Sequence, residues 1–246
     1  RNICPMDFFL PYWTNGLHSE RIRQQALASG PLKKNLWRLI TKAKISNQAA
    51  LVEGTPAEAR LKILRSQVLS GDPGNREALA AQAYWPVVFN QCLPLKSFPF
   101  RRGEAAAPPN GLLNYGYAVL RAATARALVG AGLHTGLGIH HHNRNSSHPL
   151  ADDMMEPFRP WIDAKVKILV KAEELELNTT TKRALLECLT ELVTIDSQSG
   201  PLLFALERTA ASLSQVFHES ALGTSICKTT KNLALPQWPK VKGRAS

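Results

Sequence analysis

The chain has 246 residues, with 30 lysines and arginines against 19 aspartates and glutamates, so its formal charge is +11 with neutral histidines. Its composition, 44% hydrophobic and 20% charged, is that of a folded protein and excludes a disordered or collagen-like chain. The longest apolar stretch, 112–133, contains Arg121 and Arg126. Because a charge at mid-membrane depth costs about 3 kcal/mol, we expect no membrane-spanning helix and no membrane partner.

The cysteines Cys4, Cys92, Cys188 and Cys227 lie far apart in the sequence and include no closely spaced pair. This spacing excludes a CxxC redox motif or zinc half-site. Free thiols in a reducing compartment are the favoured interpretation, and we expect a cytoplasmic protein.

Apolar periodicity and turn residues predict a mainly α fold. Ser19 and Asn110 are predicted to cap helices, and Thr55-Pro-Ala-Glu58 has the spacing of a capping box. Pro157 and Pro160 leave the start of one helix open. No strand is predicted. The predicted helices span 19–28, 31–52, 55–70, 76 to about 86, 110 to about 128, 149–170, 180–193 and 202–221.

The charges are segregated along the chain. Residues 1–150 carry +11, residues 151–220 carry −5, and residues 221–246 carry +5. Basic segments of this kind fit a polyanion partner such as nucleic acid, because neutralising phosphates releases counterions. The same charge also describes a solvated surface or a surface for an acidic protein, so the prediction of nucleic acid from charge alone is weak.

Three sites carry residues suited to chemistry: Glu77, the histidines 140–142, and the group Asp152, Asp153 and Glu156. Carboxylates with an imidazole favour Mg²⁺ or Mn²⁺ over structural zinc. Each site also has a simpler interpretation. Glu77 fits a favourable charge at a helix N-terminus, the histidines fit a solvated loop or a zinc site, and the last group fits a solvated helix face.

Five segments resemble, in order and spacing, the CRISPR-associated adaptation integrases, the universal CRISPR endonuclease and integrase family, in their type II branch. Three blocks carry most of the likeness: GDPGNREALAAQAYW (71–85), PPNGLLNYGYAVLRAATARALVGAGL (108–133) and GIHHHNRNSSHPLADDMMEPFRPWID (138–163). LPYWTNGLHSERIRQQ (10–25) and LWRLITKAKISNQAALVE (36–53) add to it. The resemblance covers residues 3–165 well and the rest only in helical character.

The resemblance implies a divalent metal, Mg²⁺ or Mn²⁺, bound by Glu77, His141 and Glu156, which are also the expected catalytic residues. Asp153 matches an additional family carboxylate and Arg159 a downstream arginine. This chain also has His140 and His142 beside His141, so the segment is better specified than the individual imidazole. The DNA-binding residues are not indicated.

The resemblance further implies a metal-dependent endonuclease and integrase that joins the 3′-hydroxyl of captured DNA fragments to the CRISPR repeat by transesterification. The implied partners are double-stranded DNA, as protospacer fragment and repeat, a second copy in a homodimer, and a small ferredoxin-fold adaptation subunit. A non-catalytic DNA-binding or assembly subunit is the alternative, and a zinc protein built on the histidines is a third.

Members of this family begin with a β-rich domain through which they dimerise. We expect that domain to be absent or truncated here, with residues 1–18 as a remnant or linker. Residues 19–222 are predicted to form the α-helical catalytic domain of the CRISPR integrase type, and residues 223–246 a basic C-terminal tail.

Overall fold

The computed structural model describes residues 17–89, 100, 102–103, 108–141 and 146–239. Within these residues the protein is mainly α-helical, which confirms the predicted fold class. No helix in the described ranges is long and apolar enough to cross a membrane. The α-helices are α1 (His18–Ala26), α2 (Gly30–Leu51), α3 (Pro56–Ser66), α4 (Arg76–Val88), α5 (Asn110–Gly130), α6 (Pro149–Met155), α7 (Arg159–Lys171), α8 (Thr179–Glu187), α9 (Leu202–Ala221) and α10 (Ile226–Thr230).

Helix α2 passes through the interior of the protein. Ser29 accepts a hydrogen bond from the Leu32 amide, and Pro31 lies in the first turn, where a missing N–H costs nothing. The buried positions recur at helical spacing from Leu32 to Ala49, so one broad face of the helix is covered by its neighbours.

Three predicted caps are wrong. Helix α1 begins one residue before Ser19, and Asn110 lies inside α5 and accepts a hydrogen bond from Arg102. The Thr55 hydroxyl donates to the Val52 carbonyl, while Glu58 accepts from the Gly54 amide. In place of the predicted capping hydrogen bonds, Thr55 and Asn110 bind other groups nearby, and sequence spacing alone does not reveal such competition.

The helix predicted over 149–170 is divided into α6 and α7 by a 3-10 helix, Glu156–Phe158. Pro157 and Pro160 lack the amide hydrogens that a continuous helix would use, so the chain changes its winding between them. This short segment carries one of the predicted site residues.

Two short strands, β1 (Leu192–Ile195) and β2 (Gln198–Pro201), form an antiparallel hairpin that the sequence reading missed. Asp196 and Ser197 make the turn with positive φ angles. Part of the segment predicted to be a basic tail packs on the helices: Ala234 is buried, and Trp238 lies 4.8 Å from Trp161 between ring centroids. The division of the chain into domains stays a prediction.

The buried side chains form two hydrophobic clusters that meet along α2. One cluster includes Trp37 and Ile40 with Met154, and the other includes Ile45 with Phe158. The part of α2 between Ile40 and Ile45, and the junction of α6 with the 3-10 helix, therefore lie where the two clusters meet. The candidate site is built at this boundary.

Candidate functional site

A lysine on α2 joins two of the predicted site residues. The Lys44 Nζ lies 2.5 Å from Glu77 Oε1 and 2.6 Å from Glu156 Oε2. The Lys44 side chain is 10% exposed, Glu156 is 4% exposed, and Glu77 is 26% exposed. Two carboxylates from distant parts of the sequence thus share one ammonium group, with Glu77 on the more open side.

Glu77 is held by the start of α4. Asp72 accepts hydrogen bonds from the Arg76 and Glu77 amides, each at 2.9 Å, and so satisfies two of the free N–H groups of the first turn. Asn75 precedes the helix with a φ of 46°, a left-handed conformation that asparagine tolerates well. This turn fixes the direction in which the Glu77 side chain leaves the helix.

Glu156 is the most enclosed carboxylate of the site. Its Oε1 lies 2.9 Å from Arg159 Nη2, one turn further along the chain. The Arg159 guanidinium also lies 4.7 Å from the centroid of the Tyr117 ring, a distance typical of a cation–π contact. Glu156 is therefore compensated by two cations, Lys44 and Arg159.

Asp153 organises the histidine segment instead of facing the lysine. It accepts hydrogen bonds from the Ile139, His140 and His141 amides at 2.6, 3.0 and 3.1 Å. The Asp153 carboxylate also lies 2.6 Å from His141 Nδ1. Because Nδ1 is engaged there, Nε2 is the nitrogen that remains for a ligand.

Trp37, two turns before Lys44 on the same helix, lies against the histidines. Its ring is stacked on His140, with centroids 4.1 Å apart and an interplanar angle of 5°. It meets His141 edge-on at 5.5 Å. Helix α2 therefore positions the imidazoles through Trp37 and the carboxylates through Lys44.

The opposite charges of the site shift one another's pKa values towards the charged forms. Burial opposes the charge of Lys44, but Glu156 and Glu77 outweigh it and raise its pKa. Burial likewise opposes the charge of Glu156, but Arg159 and Lys44 lower its pKa. The hydrogen bond to Asp153 raises the pKa of His141, with the nearby charges of Glu156 and Glu77 adding to it.

Behind the site, Asp163 on α7 accepts hydrogen bonds from two phenols. Tyr84 Oη donates to Asp163 Oδ2 at 2.8 Å, and Tyr117 Oη donates to Oδ1. Asp163 is 1% exposed. This cluster ties α4 and α5 to α7, and it supports the Tyr117 ring on which Arg159 rests.

Asp163 should make the stability of the protein depend on pH. Burial raises the pKa of Asp163 to about 6, although the tyrosine hydrogen bonds favour its charged form. The folded state therefore holds this proton more tightly than the unfolded state, so stability should fall as pH rises from about 4 to about 6. In Asp163→Asn this contribution should vanish. The difference in unfolding free energy between the two proteins should change by about 2 kcal/mol between pH 4.5 and 7, measured by urea denaturation.

Asp196→Asn is the control for this measurement, since Asp196 is an exposed partner of Arg208 at the hairpin turn. A pH-independent difference for Asp163→Asn would contradict the assignment.

The structure thus brings Glu77 and Glu156 together, pairs Arg159 with Glu156 and joins His141 to Asp153, whereas His142 lies outside the described residues. Asp153 contacts the Nδ1 side of the His141 ring, away from the nitrogen that remains for a ligand. Asp152 forms an ion pair with Arg121 at 2.7 Å. Sequence reasoning missed Lys44 and Trp37. A signal was present: Lys44 interrupts the apolar face of α2 seven residues after Trp37, where an unpaired charge would be costly.

No group of three or more histidine, cysteine, aspartate or glutamate side chains in the described ranges is close enough to hold a metal ion. Lys44 occupies the space between the carboxylates. The donors nevertheless fit a hard cation: Glu156 Oε2 is buried without a hydrogen bond of normal geometry, despite its ion pair with Lys44. His141 is oriented by a carboxylate on its other nitrogen, as metal-binding histidines commonly are.

Comparison with solved structures identifies the fold. A casposase bound to its integration product superposes with a TM-score of 0.68 at 20% identity, over 84% of this chain and 67% of that one. A Cas6-RT-Cas1–Cas2 complex gives a TM-score of 0.72 at 18% identity, over 95% of this chain and 28% of that one. The helical arrangement is therefore shared with the casposase and with a chain of that complex.

Sequence comparison identifies the family. The family model for CRISPR associated protein Cas1 matches residues 74–191. The CRISPR-associated endonuclease Cas1 of Neisseria meningitidis serogroup C (strain 8013) is 36% identical over 238 residues, which cover 95% of this chain and 73% of that protein. The chain belongs to the Cas1 family, which confirms the resemblance found in the sequence.

Proposed function

We propose that this chain is a metal-dependent DNA endonuclease and integrase of CRISPR adaptation. It would join the 3′-hydroxyl of a captured DNA fragment to the CRISPR repeat. The observation that carries the proposal is the convergence of Glu77 and Glu156 on one cation, with His141 bound to Asp153, three residues before Glu156. Family membership supports it, since the Neisseria relative is named an endonuclease.

Glu77, His141 and Glu156 are the residues proposed to hold Mg²⁺ or Mn²⁺. Such an ion polarises a phosphate and stabilises negative charge on a departing oxygen. In the joining reaction a new bond forms between the incoming 3′-oxygen and phosphorus, while the bond from phosphorus to the displaced 3′-oxygen breaks. The attacking hydroxyl loses its proton, and the displaced oxygen gains one.

The remaining site residues act on the ligands. Asp153 binds the backbone amides and the Nδ1 of the histidine segment, which holds the His141 ring in one orientation. Arg159 binds Glu156 Oε1 and rests on Tyr117, so it limits the rotation of that carboxylate. Orientation of this kind is a large part of what an enzyme contributes to phosphate chemistry.

A basic cluster on α2 and α3 is a candidate for the DNA-binding surface. Partial burial, together with the nearby charges of Arg38 and Arg65, lowers the pKa of Lys42. Within the described ranges, none of these three side chains forms an ion pair with a carboxylate. Positive charges that repel one another without a local counter-ion are suited to phosphates.

The proposed partners are duplex DNA, a second copy of the chain, and a small ferredoxin-fold adaptation subunit. The structural neighbour that contains Cas1 together with Cas2 supports an assembly of this type. The homodimeric state of this chain and the ferredoxin fold of the small subunit are part of the proposal.

A strand-transfer assay tests the function. A labelled duplex with 3′ overhangs and a plasmid carrying the cognate repeat would be incubated with the chain, alone and with the small subunit. Joined product with Mg²⁺ or Mn²⁺, abolished by EDTA, is expected. DNA binding without joining or cleavage under any metal would favour the non-catalytic subunit, and stoichiometric zinc in the purified protein would favour the zinc alternative.

His141 and His140 should differ sharply in this assay. His141→Ala should abolish joining, because His141 is the imidazole bonded to Asp153 and facing the charges of both glutamates. His140→Ala should lower activity by no more than about 10- to 100-fold, the range of effects from residues that only support a ligand. The ratio of the two initial rates at saturating Mn²⁺ is the measurement. The reverse order would place the ligand one residue earlier.

A further inference from the structure

Lys44 occupies a position that is unusual for a lysine. Its ammonium group lies within 2.6 Å of oxygens from both Glu77 and Glu156, and its side chain is 10% exposed. Ammonium groups at such positions act as counter-ions, because two buried carboxylates would otherwise repel each other. Lys44 therefore neutralises charge in the centre of the site.

The oxygens that Lys44 contacts are those a divalent cation would need. Mg²⁺ and Mn²⁺ bind carboxylate oxygens directly at about 2 Å, so a bound ion would stand close to the present position of Nζ. Two positive groups at that separation repel strongly in a poorly hydrated site. The lysine and the ion cannot occupy this space together.

The main chain of α2 is fixed, so the side chain must be the part that moves. The Asn47 amide donates to the carbonyls of Pro157 and Pro236, which ties α2 to the segment carrying Glu156. Trp37 is 1% exposed and stacks on His140 at the other end. A lysine side chain has four rotatable bonds and can withdraw its ammonium group without moving the helix.

We infer that Lys44 is a built-in competitor of the metal: its ammonium group holds Glu77 and Glu156 together, and it must withdraw before a divalent cation binds them. This rests on the proposed function, because it takes the same carboxylates as metal ligands. Lys44 then lowers the affinity of the site for metal while stabilising the protein before metal binds.

Calorimetric titration with MnCl₂ in the absence of DNA tests the inference on the full chain. Lys44→Met removes the competing charge, so the Mn²⁺ dissociation constant should fall at least tenfold. Lys34→Met is the matched control, because it removes the same charge from the exposed surface of the same helix, and it should change the constant by less than twofold. The melting temperature of Lys44→Met should be lower than that of wild type without Mn²⁺ and should rise more when Mn²⁺ is added.

A second measurement uses the wild-type protein, so it does not depend on the variant folding. Acetic anhydride modifies free amines, and mass spectrometry reports the modification of each lysine. Adding Mn²⁺ should raise acetylation of Lys44 at least threefold relative to the exposed Lys34, because the displaced amine leaves its ion pairs.

The outcomes separate the inference from the proposed function. Mn²⁺ binding to wild type with unchanged or weaker affinity in a folded Lys44→Met would overturn the role of Lys44 and leave the metal site standing. Unchanged or lower acetylation of Lys44 in Mn²⁺-bound wild type would do the same. Absence of Mn²⁺ binding by the wild-type chain would overturn both.

Discussion

Glu77→Gln should reduce Mn²⁺-dependent cleavage and joining of DNA by about 10³-fold, the scale seen when a group that stabilises transition-state charge is removed. Glutamine keeps the size of the side chain but loses the charge that a divalent cation needs. Glu77 is 26% exposed, so the fold should tolerate the change. Initial rates on a labelled branched duplex measure the effect, with circular dichroism to confirm folding.

Glu156→Gln should lose as much activity and also destabilise the protein. Its carboxylate compensates both Lys44 and Arg159 in a nearly closed environment. Removing one partner of a buried ion pair costs about 3 to 5 kcal/mol, because Arg159 loses this carboxylate and Lys44 keeps only Glu77. Urea denaturation measures this cost.

Asp152→Asn is the matched control for both glutamates. Asp152 is also an acidic residue of the α6 segment, but it pairs with Arg121 away from Lys44. It should keep activity within about tenfold of wild type, as expected for a residue outside the ligand set. Activity of Glu77→Gln or Glu156→Gln comparable to that of Asp152→Asn would remove that glutamate from the site.

Affinity for duplex DNA should fall by about 10³-fold or more between 50 and 200 mM salt, if about six phosphates are neutralised. The expectation rests on the net charge of +11 and on the cluster of Arg38, Lys42 and Arg65. Fluorescence anisotropy with a labelled duplex, in EDTA, measures binding without metal chemistry. The slope of log affinity against log salt gives the number of phosphates.

Lys42→Gln and Arg65→Gln locate these contacts, because each should reduce that slope by about one if its cation binds a phosphate. Lys171→Gln, at the end of α7, provides a comparison from another surface. A flat salt response of the wild-type protein would contradict a polyanion interface. A steep response with unchanged slopes for Lys42→Gln and Arg65→Gln would place the interface elsewhere.

Much of the fold followed from local patterns. Apolar periodicity and glycine or proline boundaries located the helices, and the predicted first-turn position of Glu77 is confirmed. Two features of the fold differ from the prediction, a helix cap and a hairpin. The Thr55 hydroxyl donates to the Val52 carbonyl instead of capping its helix. The hairpin of β1 and β2 depends on a turn at Asp196 and Ser197 that the composition of the segment does not predict.

The sequence named the acidic and histidine residues of the candidate site, but it did not indicate that Lys44 lies between the two glutamates. The sequence grouped Asp153 with Glu156, yet Asp153 accepts hydrogen bonds from the backbone amides of the histidine segment and does not contact Lys44. Lys44 could not be assigned, because its partners come from α4 and from the 3-10 helix. Only the three-dimensional packing of α2 shows which charges it meets. The catalytic roles of Glu77, His141 and Glu156 stay predictions until the variants are measured.

The Asn47 side chain has a consequence for how the protein is made. It joins carbonyls that are 110 and 189 residues further along the chain, at Pro157 and Pro236. Proteins are synthesised from the N-terminus, so α2 leaves the ribosome long before the segments it must bind. A growing chain can fold α2 to α4 but holds only Glu77 of the two glutamates. A partly synthesised molecule therefore has no complete candidate site until the segment that carries Glu156 has been made, and the bond from Asn47 to Pro236 forms later still.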